Sequence, residues 1–430
     1  MLTTKRYWHL RLYLCLPLVL ISLDICAESL EKAWDIALNS NHQIKAAQID
    51  TSASAEQLAS AKGQRLPQLN VSSGYTQLSE TPSAQTQILG RSAQFPTNQP
   101  GSFRAQAVAS LPVFTSGRIS HSIDSAEASL QAAQHNEVTS TLDIKMQVAE
   151  AYINVLRAES ALQVTQNHAD SLTAHLQDVN NLYEQGVVAK NDQLAANVEL
   201  VNAQQLVVQA TNQFDIAKAR YNQLLDRSLE DEVKLERKFP DLPEGSLNEL
   251  SNNALKHRSE IAALSQQIEA LEQQAASIHA SVLPQVDING GYQYQENRFQ
   301  AFQGIWSVGA GVQWKLFDGS TRHQSDAMSR QAISLKEQRD DLTSKINLQV
   351  RQAWLDIQET QKRINVTQQA IDQADENMRV TKDRYQQGLS TNTDVIKAED
   401  QRIAAHDNLN NANYDAVLAK VRLRRAIGIL

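Results

Sequence analysis

The sequence predicts a mainly α-helical fold with a membrane β-barrel portion, built from a duplicated helix–strand–strand–helix–helix unit. Three observations carry that expectation. Only 15 Gly and 9 Pro punctuate 430 residues, too few for a chain of many short elements. Segments recur in the same order about 200 residues apart. Two windows alternate apolar and polar residues with a period of two, the pattern of strands with one apolar and one polar face. A mean hydropathy of -0.42 excludes a protein made of apolar membrane helices.

The first element is a secretory signal over residues 1–27. Lys5, Arg6 and Arg11 precede the apolar run 12–23, and Ala27 suits the position before a cut. A lipoprotein reading would place a lipid on Cys26, but Asp24 and Ile25 stand where small or uncharged residues are expected. Cleavage removes both cysteines, Cys15 and Cys26, so no disulfide or thiol chemistry is expected in the mature chain. It also removes three basic residues and one acidic one, taking the net charge from -8 to -10. No nucleic-acid partner is expected for such a chain.

The first repeat occupies 28–227 and the second 247–430, joined by a charged, Pro-containing linker over 228–246. Leu66-Pro67-Gln68 followed by Gly74-Tyr75 returns as Leu283-Pro284-Gln285 followed by Gly291-Tyr292, a shift of 217. Ala151-Tyr152 returns as Ala353-Trp354, and Tyr183-Glu184-Gln185-Gly186 as Tyr385-Gln386-Gln387-Gly388, both at a shift of 202. The difference arises from about fifteen extra residues near 79–102 of the first copy.

Strands are expected at about 68–78, 103–114, 285–295 and 305–317. Leu69, Val71 and Tyr75 share a face, as do Phe103, Ala105, Ala107, Ala109, Leu111 and Val113. In the second copy Val286, Ile288, Gly290, Tyr292 and Tyr294 alternate with polar or small residues, and so do Trp306, Val308, Ala310, Val312, Trp314 and Leu316. The windows 66–117 and 283–318 hold 11 of the 20 aromatic residues of the mature chain, so rings concentrate where the strands are. A half-buried sheet on helices explains the alternation, and so does a membrane barrel with its apolar face to outer-membrane lipid. The signal and the lack of membrane helices favour the barrel. Four strands are too few to close one, since the smallest have about 8, so several chains must share it. The Ser-, Thr-, Gln- and Pro-rich insert 79–102 is then an exposed loop at the outer end.

Long helices follow each strand pair. No proline falls between Val113 and Phe239 or beyond Gln285, so 117–183 has room for a helix about 100 Å long. Leu142, Met146, Ala149, Ile153 and Leu156 alternate fours and threes, and Ile364, Ile371, Met378 and Tyr385 are seven apart. Both are coiled-coil seams, or equally the core stripes of one bundle. Gly186 and Gly388 interrupt the helices as left-handed residues at a helix end do, turning the chain into hairpins. Asp192 and Asp394 lie just beyond, where an Asp most often caps the next helix.

The doubled Leu-Pro-Gln starts resemble the outer membrane efflux protein family typified by TolC. So do the exits Val113-Phe114-Thr115-Ser116-Gly117 and Leu316-Phe317-Asp318-Gly319, the tips 183–194 and 385–396, and the ending Ala426-Ile427-Gly428-Ile429-Leu430. The resemblance covers essentially the whole mature chain. It implies a homotrimer whose chains share a 12-stranded outer-membrane β-barrel continued by a long α-helical periplasmic barrel. It also implies an exit duct for efflux or type I secretion, docked to a periplasmic adaptor (membrane fusion) protein and an inner-membrane transporter. By the same resemblance, Asp192 and Asp394 line a constricted entrance, and Tyr385 helps to latch it. A ring of such carboxylates would attract cations and raise the pKa of some members. Tyr183, Gly186, Val187, Gly388 and Leu389 form the hairpin tips and adaptor contact. The family pattern is broken at Ser390, where a basic residue is common, and at Lys397, where an acidic one is; Lys190 and Lys397 are therefore candidate ion partners of the gate.

No zinc-ligand spacing, phosphate-cradling glycine loop or nucleophile elbow is found, so neither a cofactor nor enzymatic activity is expected. The alternative is a soluble periplasmic adaptor or coiled-coil scaffold. An adaptor would show one helical hairpin between β domains, whereas this chain repeats the whole unit.

Overall fold

A computed structural model describes residues 27–430. The secretory signal through Cys26 lies outside the described residues. Helices α1 (Leu30–Ser40) and α2 (His42–Gly63) lead to strand β1 (Gln68–Gln77), the hairpin β2 (Ser83–Ile88) and β3 (Arg91–Pro96), and strand β4 (Gly101–Phe114). Helices α3 (Arg118–Glu184) and α4 (Lys190–Leu224) follow. The order then recurs as α5 (Leu247–His257), α6 (Ser259–Ala280), β5 (Gln285–Gln295), β6 (Gly304–Gln313), α7 (Thr321–Gln386) and α8 (Asn392–Ala426).

The leading helix of each repeat is broken in two, a detail the periodicity does not carry. At the first break Asn41 is extended, and its side chain caps α2 by accepting from the Gln43 amide at 2.9 Å. The same side chain donates to the Leu224 carbonyl at the end of α4, 3.1 Å away. At the second break Arg258 donates to the Ala426 carbonyl at the end of α8, 3.2 Å away. Each break thus receives the C-terminal end of its repeat's return helix and satisfies carbonyls a helix end leaves free.

Strands β1, β4, β5 and β6 form one antiparallel sheet in that order. The register sets Val71 opposite Ala107, Ala107 opposite Tyr292, and Tyr292 opposite Trp306, so most of the apolar residues of the four strands share one face, Val108 and Ile305 being exceptions. Ser72, Gln106 and Gln293 align on the other. The expected run in β4 ends early: the register shifts between Pro112 and Phe114, a bulge that removes Val113 from the series. Trp314 and Leu316 also fall beyond the end of β6. The insert is not an irregular loop. It contains the β2–β3 hairpin, turned at Leu89 and Gly90, both with positive φ as a two-residue hairpin turn requires.

Helices pack on one another and not across the sheet. The apolar face stays bare, with Val71 73%, Trp306 78% and Val308 86% exposed. In the half next to the sheet the helix order α2, α3, α6, α7 repeats the strand order. In the other half the order is α4, α3, α8, α7. The two largest hydrophobic clusters among the described residues lie where these halves meet. One gathers Leu30, Val148, Tyr152, Ile153, Leu156, Tyr221 and Leu225; the other gathers Leu250, Ile346, Val350 and Leu423. The Tyr152 hydroxyl sits between the carbonyls of Glu28 and Glu236, at 2.7 and 2.6 Å, tying the start of the described chain and the inter-repeat segment to α3. On the tip side of the cores, Asp415 of α8 joins α3 and α7 by accepting from Arg157 and Arg363, each at 2.6 Å.

Candidate functional site

The two hairpin tips lie at the end of the molecule away from the sheet. Each is a Schellman turn. At the first, Gly186 has φ of 74°, its amide bonds the Tyr183 carbonyl at 2.9 Å, and the Val187 amide bonds the Leu182 carbonyl at 2.9 Å. At the second, Gly388 has φ of 72°, with Gly388 bonded to Tyr385 at 3.0 Å and Leu389 to Arg384 at 2.8 Å. The residue after each glycine is apolar and bare, Val187 at 61% and Leu389 at 64% exposure. Tyr183 is also exposed.

Neither tip aspartate is the N-cap. The caps are Ala189 and Thr391, and both aspartates stand three residues further on. Asp394 closes a capping box, its Oδ2 accepting from the Thr391 amide at 2.9 Å, the Thr391 hydroxyl at 2.7 Å and the Ser390 hydroxyl at 3.1 Å. Those bonds hold its carboxyl below the usual 3.8, the Thr391 amide contributing most. In the single chain the shift is thus opposite to the one that crowding in a ring would cause. Asp192 has no such box, because Ala189 offers no side-chain cap. Its backbone carbonyl instead accepts from Asn392 Nδ2 at 3.1 Å, which joins the starts of α4 and α8.

Tyr385 does not point into open space. It is buried with Val179, Ala196 and Val395 between the hairpins, and its hydroxyl has no hydrogen-bond partner among the described residues. Burial pushes its phenol above the ordinary 10, and the charges of Asp192 and Asp178 add to the effect. Lys190 and Lys397 are exposed and form no ion pair among the described residues. The cross-hairpin pair at this level is Lys382 with Asp178, at 3.5 Å.

Sequence reasoning missed a buried polar ladder between α3 and α8. His175 Nε2 lies 2.7 Å from Asn392 Oδ1, and His168 Nδ1 lies 3.3 Å from Glu399 Oε1. Arg402 completes the second rung by donating to both Glu399 oxygens, at 3.1 and 2.8 Å. Burial alone would raise the Glu399 pKa, but bonds from His168 and Arg402 bring it below the usual 4.5. A signal was present: the two histidines, and Asn392 and Glu399, are each seven apart, so polar residues occupy seam positions on both helices.

An open four-stranded sheet with a bare apolar face, continued by helices about 100 Å long, defines a subunit of a shared membrane barrel with a helical conduit. The model of the family described as outer membrane efflux protein matches residues 33–226 and 250–429. This chain belongs to that family. It is 22% identical to outer membrane protein TolC of Vibrio cholerae, over 98% of this chain and 95% of that protein. It is 23% identical to the alkaline protease secretion protein AprF of Pseudomonas aeruginosa, over 67% of this chain and 62% of that one. The solved outer membrane protein VceC of Vibrio cholerae superposes with a TM-score of 0.77 at 19% identity, over 93% of this chain and 96% of that one. The protein is an outer-membrane exit duct of the efflux or secretion type, reaching from the bacterial outer membrane into the periplasm. Channels of its family are trimeric and work with adaptors and inner-membrane transporters.

Proposed function

We propose that three copies of this chain close one barrel, β6 of each pairing with β1 of the next, and that the duct passively conducts cargo handed over by a periplasmic adaptor and an inner-membrane transporter. One observation carries this reading: the sheet ends on two strands with no outer neighbour among the described residues, while its apolar face is continuous and bare. Unpaired edges in lipid are untenable, because no water is present to bond the free amides and carbonyls. The stacking of α2, α3, α6 and α7 in the same order as the strands supports closure of the helical part by the same rotation. Residues 28–227 and 247–430 are the two repeats and 228–246 their linker. The chain is not an enzyme in this reading; the partner supplies the energy.

The tips form the periplasmic entrance. Asp192 and Asp394 are its gate carboxylates, three copies of each in the trimer, and Tyr385 is a buried wedge of the closed state. Val187 and Leu389, with Tyr183, Gly186 and Gly388, offer the adaptor an apolar contact. Lys190 and Lys397 are free to meet carboxylates of a neighbouring subunit. Fractionation tests the reading: heat-sensitive trimers in the detergent-extracted outer membrane are expected, and a soluble periplasmic monomer would refute it. The gate is tested by Asp192→Asn with Asp394→Asn, which removes both charges while leaving a side-chain oxygen at position 394 for its capping box. Cation preference and block by divalent ions should fall in single-channel recordings; unchanged selectivity would exclude these residues as the gate.

A further inference from the structure

The two rungs between α3 and α8 differ in a way that matters for charge. His168 faces a carboxylate, Glu399, whereas His175 faces an amide, Asn392. Asn392 is 4% and His175 3% exposed, so both sit in the packed interior of the tip. The amide orientation follows from its two bonds. Asn392 Nδ2 donates to the Asp192 carbonyl of α4, so Oδ1 turns to α3 and His175 Nε2 must be the donor. A second proton would have to go on Nδ1, the ring nitrogen outside the bond to Asn392. The imidazole also packs against the Tyr385 ring of α7, with centroids 5.5 Å apart. One side chain thus touches α7 and α8 directly and α4 through Asn392, joining both hairpins at their ends.

We infer that His175 and Asn392 are the latch that holds the two hairpin tips together, and that proton uptake by His175 releases it. This rests on the tips being the entrance of the duct. The charged groups around the ring do not offset a second proton. On its own helix Asp178 favours the cation, but Lys382 of α7 opposes it, and those two pair with each other at 3.5 Å. On α8, Glu399 also favours it but is already bonded to His168 and Arg402. From α4 only the neutral backbone carbonyl of Asp192 joins the bonded chain. Burial dominates and holds the His175 pKa below the ordinary 6.5. The sign follows. The closed tip binds the proton less readily than an opened, hydrated one, so closure is fully supported above 6.5 and weakens as pH falls through and below it. Each latch loses up to about tenfold in its closed-to-open ratio per pH unit over that window.

The test is single-channel conductance of the full trimer from about pH 7.5 to about pH 5. Wild type should open as pH falls. His175→Gln keeps a donor to Asn392 but cannot take a proton, so it should stay at its neutral-pH conductance. Asn392→Asp places a carboxylate opposite His175, as Glu399 stands opposite His168, and should move opening to lower pH. Equal acid opening in wild type and His175→Gln would overturn the inference. If no form conducts at any pH, the entrance reading fails separately, and the latch is decided by the distance between spin labels at Gln185→Cys and Gln387→Cys. That distance should widen in acid with His175 present and not with Gln in its place; the same behaviour in both would overturn the latch.

Discussion

Val308 and Ser307 are neighbours on β6 and face opposite ways, which makes them a sharp test of which side of the sheet meets lipid. Val308 is opposite Gly290, on the face of Tyr292 and Trp306, and lies mid-strand in Gly304–Gln313. It is 86% exposed in the chain. Arginine on the lipid face at the bilayer midplane costs about 2–4 kcal/mol per subunit. That corresponds to a shift of roughly 30-fold to 1,000-fold in the insertion equilibrium of each chain. Ser307 stands opposite Gly291 on the polar face, where the water-filled bore would accept the same side chain at little cost. The assay is the yield of heat-sensitive trimers in isolated outer membranes, with refolding into lipid vesicles as a second measure. Val308→Arg should abolish or severely reduce both, and Ser307→Arg should leave both near wild type. Equal tolerance of the two, or a greater loss with Ser307→Arg, would refute the assignment of the bare face to lipid.

Two further outcomes concern the helical part. Gly388→Val forces a β-branched residue into a left-handed position where a Cβ meets no neighbour, so the cost is conformational, about 1–2 kcal/mol; hydrogen exchange should show faster opening of the second tip with the sheet unaffected. Asp415→Ala leaves Arg157 and Arg363 without their shared acceptor, each bond being 2.6 Å at sites about one-third exposed. After allowing for screening the loss should be about 2 kcal/mol, read as a lower guanidinium midpoint, and adding Arg157→Ala should cost less than it does alone.

The period-two alternation located the sheet because a half-wetted strand must alternate, whatever covers its apolar face. The breaker-free stretches located α3 and α7 for an equally local reason, and Gly186 and Gly388 marked the tips because a Schellman turn needs a left-handed residue. Other features were illegible because they depend on partners distant in the chain. The breaks at Asn41 and Arg258 exist where α4 and α8 end, 183 and 168 residues away. The bulge at Val113 is visible only in its pairing with β5. At the tip, the place of Asp394 at a helix start is legible in the sequence, whereas its bonds to Ser390 and Thr391, which set it inside a capping box, are not. The seven-residue spacing of His168 and His175 marks a polar seam, but the role of His175 depends on its contacts with Tyr385 of α7 and Asn392 of α8, which lie more than 200 residues away.

Closure of the barrel by neighbouring copies is the claim on which the rest depends, and cysteine cross-linking across the open edges tests it most directly. The mature chain has no cysteine of its own when cut after Ala27, so Val308→Cys on β6 can be combined in turn with Leu69→Cys, Val71→Cys, Ser73→Cys and Tyr75→Cys on β1. All lie on the apolar face, and β1 and β6 are the outermost strands of the sheet. In intact outer membranes, oxidation should convert at least one of these pairs into covalent trimers that survive boiling in detergent. Chains that remain monomeric in every pair, while inserted in the membrane, would contradict closure between β6 and β1.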